Sequence, residues 1–289
     1  MYYRYYGFKE PPFNLTPNPH FFFESSQHTE ALNTLLYAIN QRKGFVVLTG
    51  DIGSGKTTVC RKLINKLSIR TRTALITNTH ISGKDLLMSI LDDLEIDYTP
   101  GSKAKLLFHI NNYLIEQLKN DYNVVLIIDE AQNLTPSVLE EVRMLSNLET
   151  ENEKLIQIVF IGQPELKKKL ALSRLEQLRQ RIAVYYDLSP LNREETINYI
   201  RHRLNVARGD EAQEIFTPEA FELIYEFSKG VPRLINQICD SALLSGYIYE
   251  SDQIAGKIMC EAIGESPTMQ LGGVKNVPAE EGMLIEKMV

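Results

Sequence analysis

The chain has 289 residues, 44% hydrophobic and 24% charged, which is globular composition with enough apolar material for one large or two moderate domains. A net charge of −6 disfavours a uniformly basic nucleic-acid surface, and three scattered cysteines (Cys60, Cys239 and Cys260) disfavour a disulfide framework or a zinc site. No apolar run approaches the roughly 20 residues of a membrane helix, and no signal peptide is visible. We therefore expect a cytoplasmic protein without a transmembrane segment.

The first part of the chain predicts an irregular segment followed by an α/β domain. Residues 1–24 are rich in aromatic residues and proline, so we expect an irregular stretch packed on the core. Over residues 25–190, apolar patterns of helical period alternate with short β-branched runs. The predicted helices cover residues 25–40, 56–68, 84–94, 103–119 and 135–148, and the predicted strands cover residues 45–48, 74–77, 124–128, 155–161 and 183–187. This alternation predicts right-handed βαβ units, and hence a parallel sheet with helices on both faces.

The pattern changes near residue 191, after which no strand is predicted. The predicted helices of this part cover residues 193–205, 218–228, 232–249 and 251–263. We expect a small all-helical domain over residues 191–264 and a flexible tail over residues 265–289, where glycine, proline and mixed charges occur.

A complete phosphate-binding motif follows the first predicted strand. Residues 50–57 match G-x-x-x-x-G-K-[ST], between a buried strand and a helix, which is the context that the motif requires. In such a loop, backbone N–H groups and a helix N-terminus face an anion, a lysine reaches the outer phosphates and a threonine can ligate Mg²⁺. The predicted nucleotide-binding residues are Gly50, Asp51, Ile52, Gly53, Ser54, Gly55, Lys56, Thr57 and Thr58.

Two acidic residues end the hydrophobic strand at residues 124–128. Asp129 is placed to hold Mg²⁺ together with Thr57, and Glu130 to orient an attacking water. Gln163 follows the next strand, which in this kind of sheet lies between the two motif strands. Its amide is therefore predicted to face the γ-phosphate and the water, although it could also be a simple turn residue before a helix that starts at Pro164.

These motifs resemble those of AAA+ ATPases, and more narrowly those of the ExeA/GspA type from bacterial secretion and pilus-assembly systems, with MshM-like and exosortase-associated members. The stretches that carry the resemblance are residues 6–13 with 16–19, 48–58, 128–134, 161–166, 180–182 and 230–236. The first and last of these stretches are specific to the family. The resemblance implies a P-loop NTPase (AAA+) three-layer sandwich with a parallel sheet, followed by a small all-helical lid domain.

The resemblance also implies roles for residues beyond the phosphate loop. Gln163 is expected to be the sensor-1 residue, and Arg233, at the start of a lid helix, the sensor-2 arginine that contacts the γ-phosphate in cis. Arg181, or alternatively Arg179, is expected to reach the nucleotide of a neighbouring subunit. An arginine suits both tasks, because its guanidinium is always charged and matches phosphate oxygens.

The activity implied by the resemblance is Mg²⁺-dependent ATP hydrolysis by an oligomerising assembly factor or switch. The expected partners are other copies of the chain, in a ring or a filament, and a protein of an envelope complex. The expected place is the cytoplasm, with peripheral attachment at the inner membrane as an option. No Asn-Lys-x-Asp motif for guanine is present, which favours ATP over GTP.

Two other functional classes stay open at this point. Transposition regulators of the TnsC and TniB type share the AAA+ plan and act on DNA. Residues 167–169 form a local basic cluster that either serves DNA or is a solvated helix face, and the acidic net charge disfavours DNA. A nucleotide-gated scaffold without hydrolysis is the third class, and Glu130 argues against it because a scaffold needs no carboxylate to position water.

Overall fold

The chain forms two compact units. In the computed structural model, residues 2–16, 18–150, 153–209 and 214–266 are described. One unit spans Pro17–Pro190, and the other combines Met1–Thr16 with the chain from Leu191 onward. The tail predicted for residues 265–289 lies outside the described residues from residue 267 onward. In the described part of the chain, no helix has the length and apolar character needed to cross a membrane.

The first unit is a five-stranded parallel sheet with helices. Its strands are β1 Phe45–Gly50, β2 Thr71–Ile76, β3 Asn123–Ile128, β4 Gln157–Gly162 and β5 Ile182–Leu188. Its α-helices are α2 Ser26–Asn40, α3 Lys56–Lys66, α4 Gly83–Asp93, α5 Lys103–Lys119, α6 Pro136–Leu145, α7 Pro164–Leu170 and α8 Glu176–Arg179. The sequence prediction included no element at α8.

The strand order is β2-β3-β4-β1-β5, and every neighbouring pair is parallel. The prediction that β4 lies between the two motif strands is therefore confirmed. Because parallel strands bring their carboxyl ends to one edge, the segments that follow β1, β3 and β4 meet there. Those segments are the phosphate loop, the acidic pair and Gln163.

Alternate strand residues pack into two separate apolar layers. On β1, Phe45 and Val47 belong to one cluster with the side chains of α4, α5 and α6. Val46 and Leu48 belong to the other, with the side chains of α2 and α3. All four of these strand residues are fully buried, which explains the unbroken apolar run. The predicted three-layer α/β architecture is confirmed.

The second unit is helical. Its helices are α1 Tyr2–Tyr5, α9 Arg193–Arg208, α10 Pro218–Ser228, α11 Pro232–Ile248 and α12 Gly256–Gly264. The predicted helix over residues 251–263 was wrong at its start. Ile254 instead pairs with Phe216 in an isolated parallel bridge, and its carbonyl accepts the Thr217 N–H at 3.0 Å. Its backbone is therefore extended before α12 begins.

The first sixteen residues belong to this helical unit, whereas the sequence grouped residues 1–24 as one segment packed on the core. The buried side chain of Arg203, in α9, connects this N-terminal segment to the helices of the unit. Its Nε donates to the carbonyl of Pro12 at 2.6 Å. Its Nη1 donates to the Tyr199 hydroxyl at 3.0 Å. The expected irregular stretch also contains a helical turn at Tyr2–Tyr5. The domain boundaries inferred from the sequence remain a prediction.

A carboxylate in α11 anchors the N-terminal turn. The hydroxyl of Tyr2 donates a hydrogen bond to Asp240. Burial raises the pKa of Asp240, and the hydrogen bond from Tyr2 acts in the opposite direction. The ionised carboxylate is thus disfavoured in the folded state, so it costs stability at any pH above its folded pKa.

Replacing Tyr2 with phenylalanine is expected to raise the pKa of Asp240 further and to destabilise the protein by about 1.5–3 kcal/mol near pH 7. The loss is expected to shrink as the pH falls through the folded pKa of Asp240 and to level off below about pH 3, where the carboxyl is protonated in both folded and unfolded chains. Thermal unfolding of both proteins across this range checks the prediction. Tyr5→Phe is the control, because Tyr5 is exposed where it donates to Asp252 at 3.1 Å. An equal loss at every pH would contradict the role of Asp240.

Candidate functional site

The phosphate loop joins β1 to α3. Gly53 and Gly55 have φ angles of +82° and +100°, a left-handed conformation that glycine adopts without steric cost. Gly55 directly precedes the first turn of α3. The loop therefore closes tightly in front of a helix N-terminus, where unpaired N–H groups and the helix dipole favour an anion.

Lys56 is held inside this loop. Its side chain is buried, and Nζ donates to the carbonyl oxygens of Gly50 and Asp51 at 2.8 Å each. Burial lowers the pKa of Lys56, while the carboxylates of Glu130 and Asp129 oppose the shift. An ammonium group has three donors. A phosphate oxygen would therefore accept the third hydrogen bond and offset the free-energy cost of removing the ammonium from water.

Thr57 and Asp129 lie together at the ends of their elements. Thr57 Oγ1 donates to Asp129 Oδ2 at 3.3 Å, and the Glu130 N–H donates to Asp129 Oδ1 at 2.9 Å. Asp129 is buried, and burial raises its pKa. A cation beside this carboxylate would remove that penalty, because it favours the ionised form.

The oxygens of Thr57 and Asp129 fit Mg²⁺. This ion binds through one or two protein oxygens and completes its shell with phosphate oxygens and water. Among the residues that the structure describes, no group of three or more His, Cys, Asp or Glu side chains could hold a metal ion alone.

Glu130 is oriented by two amides. Its carboxylate accepts a hydrogen bond from Gln163 Nε2 at 3.1 Å and another from Gln132 Nε2. Its backbone is left-handed, with φ of +53°, a conformation that costs about 1–2 kcal/mol for a residue with a Cβ atom. The hydrogen bond from Gln163 brings the two predicted site residues into direct contact.

Gln132 is a residue that the sequence reasoning missed as part of the site. Its Oε1 accepts the Gln163 N–H at 3.0 Å, so one side chain bridges the ends of β3 and β4. A Cβ atom on Gly162 would lie 2.8 Å from the same Oε1. Gly162 was the signal in the sequence that could have indicated this contact, because a glycine at a strand end often marks the close approach of another group to the backbone.

The basic cluster at residues 167–169 is partly used inside the unit. Lys169 Nζ donates to the carbonyl of Leu134 at 2.7 Å and also to that of Gln132. Lys167 Nζ lies 5.5 Å from the centroid of the Tyr185 ring. Lys169 therefore supports the turn that carries Gln132.

Other residues of the phosphate loop differ in exposure. Asp51 and Ile52 are exposed, with 61% of Ile52 accessible, whereas Ser54 is buried and its Oγ has no hydrogen-bond partner. Thr58 continues the first turn of α3, where its N–H donates to the carbonyl of Gly55 at 2.9 Å. Within residues 50–58 the exposed side chains are therefore those of Asp51 and Ile52.

The candidate arginines differ in their surroundings. Arg181 is half-buried and donates through Nη1 to Ser146 Oγ at 2.7 Å. Arg179 is exposed, and its Nη1 lies 3.3 Å from the carbonyl of Ala171. Arg179 is the more exposed of the two, and its Nη1 also donates to the carbonyl of Leu170 at 3.4 Å. The choice between them as the residue that reaches a neighbouring subunit stays a prediction.

Arg233 lies in the helical unit, in the first turn of α11. It is exposed, and the turn before it is fixed by Gly230, where a Cβ atom would meet the carbonyl oxygen of Leu191 at 1.8 Å. A cation in the first turn of a helix is disfavoured by the helix dipole. Gly230 therefore has a steric reason, and the helix dipole does not favour Arg233 at its position.

Comparisons with known proteins agree with this geometry. Residues 39–170, which include the phosphate loop, the acidic pair and Gln163, match the family described as an AAA domain. General secretion pathway protein A of Aeromonas hydrophila is 44% identical over 255 residues, which are 88% of this chain and 46% of that protein. The chain thus spans less than half the length of this relative.

Solved structures show the same fold at low identity. Cdc6p of Pyrobaculum aerophilum has a TM-score of 0.67 and 18% identity, covering 91% of this chain and 74% of its own. The RuvB branch-migration motor of Thermotoga maritima has a TM-score of 0.55 and 18% identity, covering 84% of this chain and 69% of its own. The match over residues 39–170 and the relative from Aeromonas together lead to one assignment: the chain carries an AAA domain of the ExeA/GspA type.

Proposed function

We propose that this chain binds ATP with Mg²⁺ and hydrolyses it. The observation that carries the proposal is the convergence of Lys56, Thr57, Asp129, Glu130 and Gln163 at one edge of the sheet. Lys56 and the loop N–H groups hold the phosphates. Thr57 and Asp129 would hold Mg²⁺, which would supply positive charge to offset the negative charge of the phosphates.

Glu130 accepts a proton from the attacking water. Gln132 and Gln163 donate to its carboxylate, so they fix where its oxygens lie before the water is bound. Gln163 also offers an amide to the γ-phosphate. A fixed base of this kind typically contributes about 10²–10⁴-fold to a rate.

The proposed cellular role is that of an oligomerising assembly factor or switch for a bacterial secretion, pilus or exopolysaccharide envelope system. It is supported by the relative that bears the name general secretion pathway protein A. We propose a cytoplasmic location, with peripheral attachment at the inner membrane as an option, and a protein of the envelope complex as partner. In this role Arg181 serves the nucleotide of a neighbouring copy, and Arg233 serves the γ-phosphate of its own chain.

The transposition-regulator alternative has weaker support. It depends on the basic cluster at residues 167–169, and one ammonium of that cluster, on Lys169, is occupied by the carbonyls of Gln132 and Leu134. ATP turnover per subunit, measured against protein concentration with and without double-stranded DNA, distinguishes the two. The envelope proposal expects a rate that climbs with concentration and ignores DNA. A rate that stays low until DNA is added, and falls with salt, would favour the alternative.

Mixing two inactive variants tests a site shared between copies. Lys56→Ala lacks the phosphate lysine but keeps Arg181, whereas Arg181→Ala keeps its own phosphate site. The mixture is expected to regain a fraction of wild-type turnover, because the first chain donates its arginine to the second. Arg179→Ala replaces Arg181→Ala in a parallel mixture and identifies which arginine acts. Failure of both mixtures to regain activity would contradict a shared site.

A further inference from the structure

A buried histidine lies against the phosphate loop. His28 is 6% exposed in the first turn of α2. Its Nε2 lies 3.0 Å from the carbonyl oxygen of Ser54, and its Nδ1 lies 2.6 Å from Ser25 Oγ. A carbonyl oxygen can only accept, so Nε2 carries the hydrogen, and in the neutral ring Nδ1 accepts from the Ser25 hydroxyl. The two contacts fix both the tautomer and the orientation of the ring.

The loop is shaped around this ring. A Cβ atom on Gly55 would lie 2.7 Å from His28 Nε2, which is closer than any normal contact. Gly55 is also left-handed, with φ of +100°. The second glycine of the motif is therefore required for two reasons: its backbone conformation, and the imidazole that fills the space beside it.

The hydrogen bond to Ser54 controls a donor on the other side of the same peptide group. The Ser54 carbonyl and the Gly55 N–H belong to one planar trans peptide, so they point in opposite directions. Holding the oxygen toward His28 turns the N–H away from the ring. We propose that His28 is a positioning residue that aims the Gly55 N–H at a nucleotide phosphate, an inference that rests on the proposed nucleotide binding.

A purely structural role makes a different prediction. Ser25 caps α2 by accepting the His28 N–H at 3.3 Å, and the Phe22 ring lies edge-on to the imidazole at 6.1 Å. If His28 only filled this space, its replacement would lower stability and leave the affinity of the folded protein for nucleotide unchanged. A positioning role changes affinity even where stability is preserved.

The test compares replacements that keep or remove the donor. The amide nitrogen of glutamine reaches the place of Nε2, whereas leucine has a similar size and no donor. His28→Leu is expected to weaken ADP binding about tenfold, the effect of one hydrogen bond of about 1.4 kcal/mol, and His28→Gln to restore most of it. Calorimetric titration gives the affinities, and thermal unfolding without nucleotide gives the stabilities. His109→Leu, on α5, is the matched control and is expected to bind as wild type.

If His28→Leu does not fold, His28→Gln is compared with His28→Asn, whose shorter amide reaches only the place of Nδ1. The glutamine variant is then expected to bind about tenfold more tightly. If folded His28→Gln binds ADP no more tightly than folded His28→Leu or His28→Asn, the inference about His28 is overturned. The proposal that the chain binds nucleotide is unaffected by that result. A wild-type chain that binds no nucleotide, and behaves like Lys56→Met, would overturn the proposed function together with it.

Discussion

Lys56→Met is expected to abolish measurable ATP turnover and to weaken nucleotide binding by about a hundredfold, because it removes a charge-assisted contact of about 2–3 kcal/mol with the phosphates. Methionine has a similar length and leaves the glycine framework of the loop unchanged. Equilibrium titration with ADP and with an ATP analogue, followed by a turnover assay, checks both effects.

Stability measurements separate this loss from unfolding. Burial lowers the pKa of Lys56 below its value of 10.5 in an unfolded chain, so the charged form is disfavoured in the folded state. At neutral pH this charge costs stability, and the cost disappears only as the pH rises through the folded pKa toward the unfolded value. Methionine removes this cost and also the two hydrogen bonds that Nζ donates to Gly50 and Asp51, so the nucleotide-free Lys56→Met protein is expected to unfold at a temperature close to that of wild type. Lys66→Met, an exposed site on α3, is the control. If Lys56→Met binds ADP and the ATP analogue as tightly as wild type does, the assignment of the phosphate site is contradicted.

Glu130→Gln is expected to bind nucleotide within about threefold of wild type and to lose about 10²–10⁴-fold in kcat, because the variant keeps the shape of the side chain but cannot accept a proton. Loss confined to kcat is the signature of a group that acts in the transition state. Single-turnover measurements at saturating ATP check it directly.

The control for this prediction is Glu165→Gln, which changes an exposed carboxylate in the first turn of α7. It is expected to keep wild-type turnover. If Glu130→Gln hydrolyses ATP as fast as wild type, Glu130 is not the base. If wild type and Glu130→Gln both bind ATP but neither hydrolyses it, the chain is a nucleotide-gated scaffold. The proposal that it hydrolyses ATP is then contradicted.

Much of the α/β unit was predictable because its signals are local. The motif at residues 50–57 follows from glycine conformation and a neighbouring strand and helix. The apolar run before Asp129 identified β3, and the strand–helix alternation identified a parallel sheet. Once the sheet is parallel, its geometry places Gln163 beside Glu130, and their contact of 3.1 Å agrees with that expectation.

The helical unit shows the limit of such signals. The helix predicted over residues 251–263 actually starts at Gly256, because Ile254 pairs with a residue 38 positions earlier, Phe216. Periodicity alone could not show this pairing, since it depends on a partner outside any local window. For the same reason the sequence did not show that the first sixteen residues belong with the chain after residue 190.

The fold class, the phosphate loop and the acidic pair could be predicted because each depends on residues adjacent along the chain. The side chains that hold these residues in place could be identified only from the packed structure. No local pattern showed that His28 contacts Ser54, that Gln132 bridges Glu130 and Gln163, or that Lys169 donates to the carbonyl of Leu134. Their positions follow from how α2, β3, β4 and α7 pack. A polar side chain gains a hydrogen-bond partner only when packing brings that partner within about 3 Å.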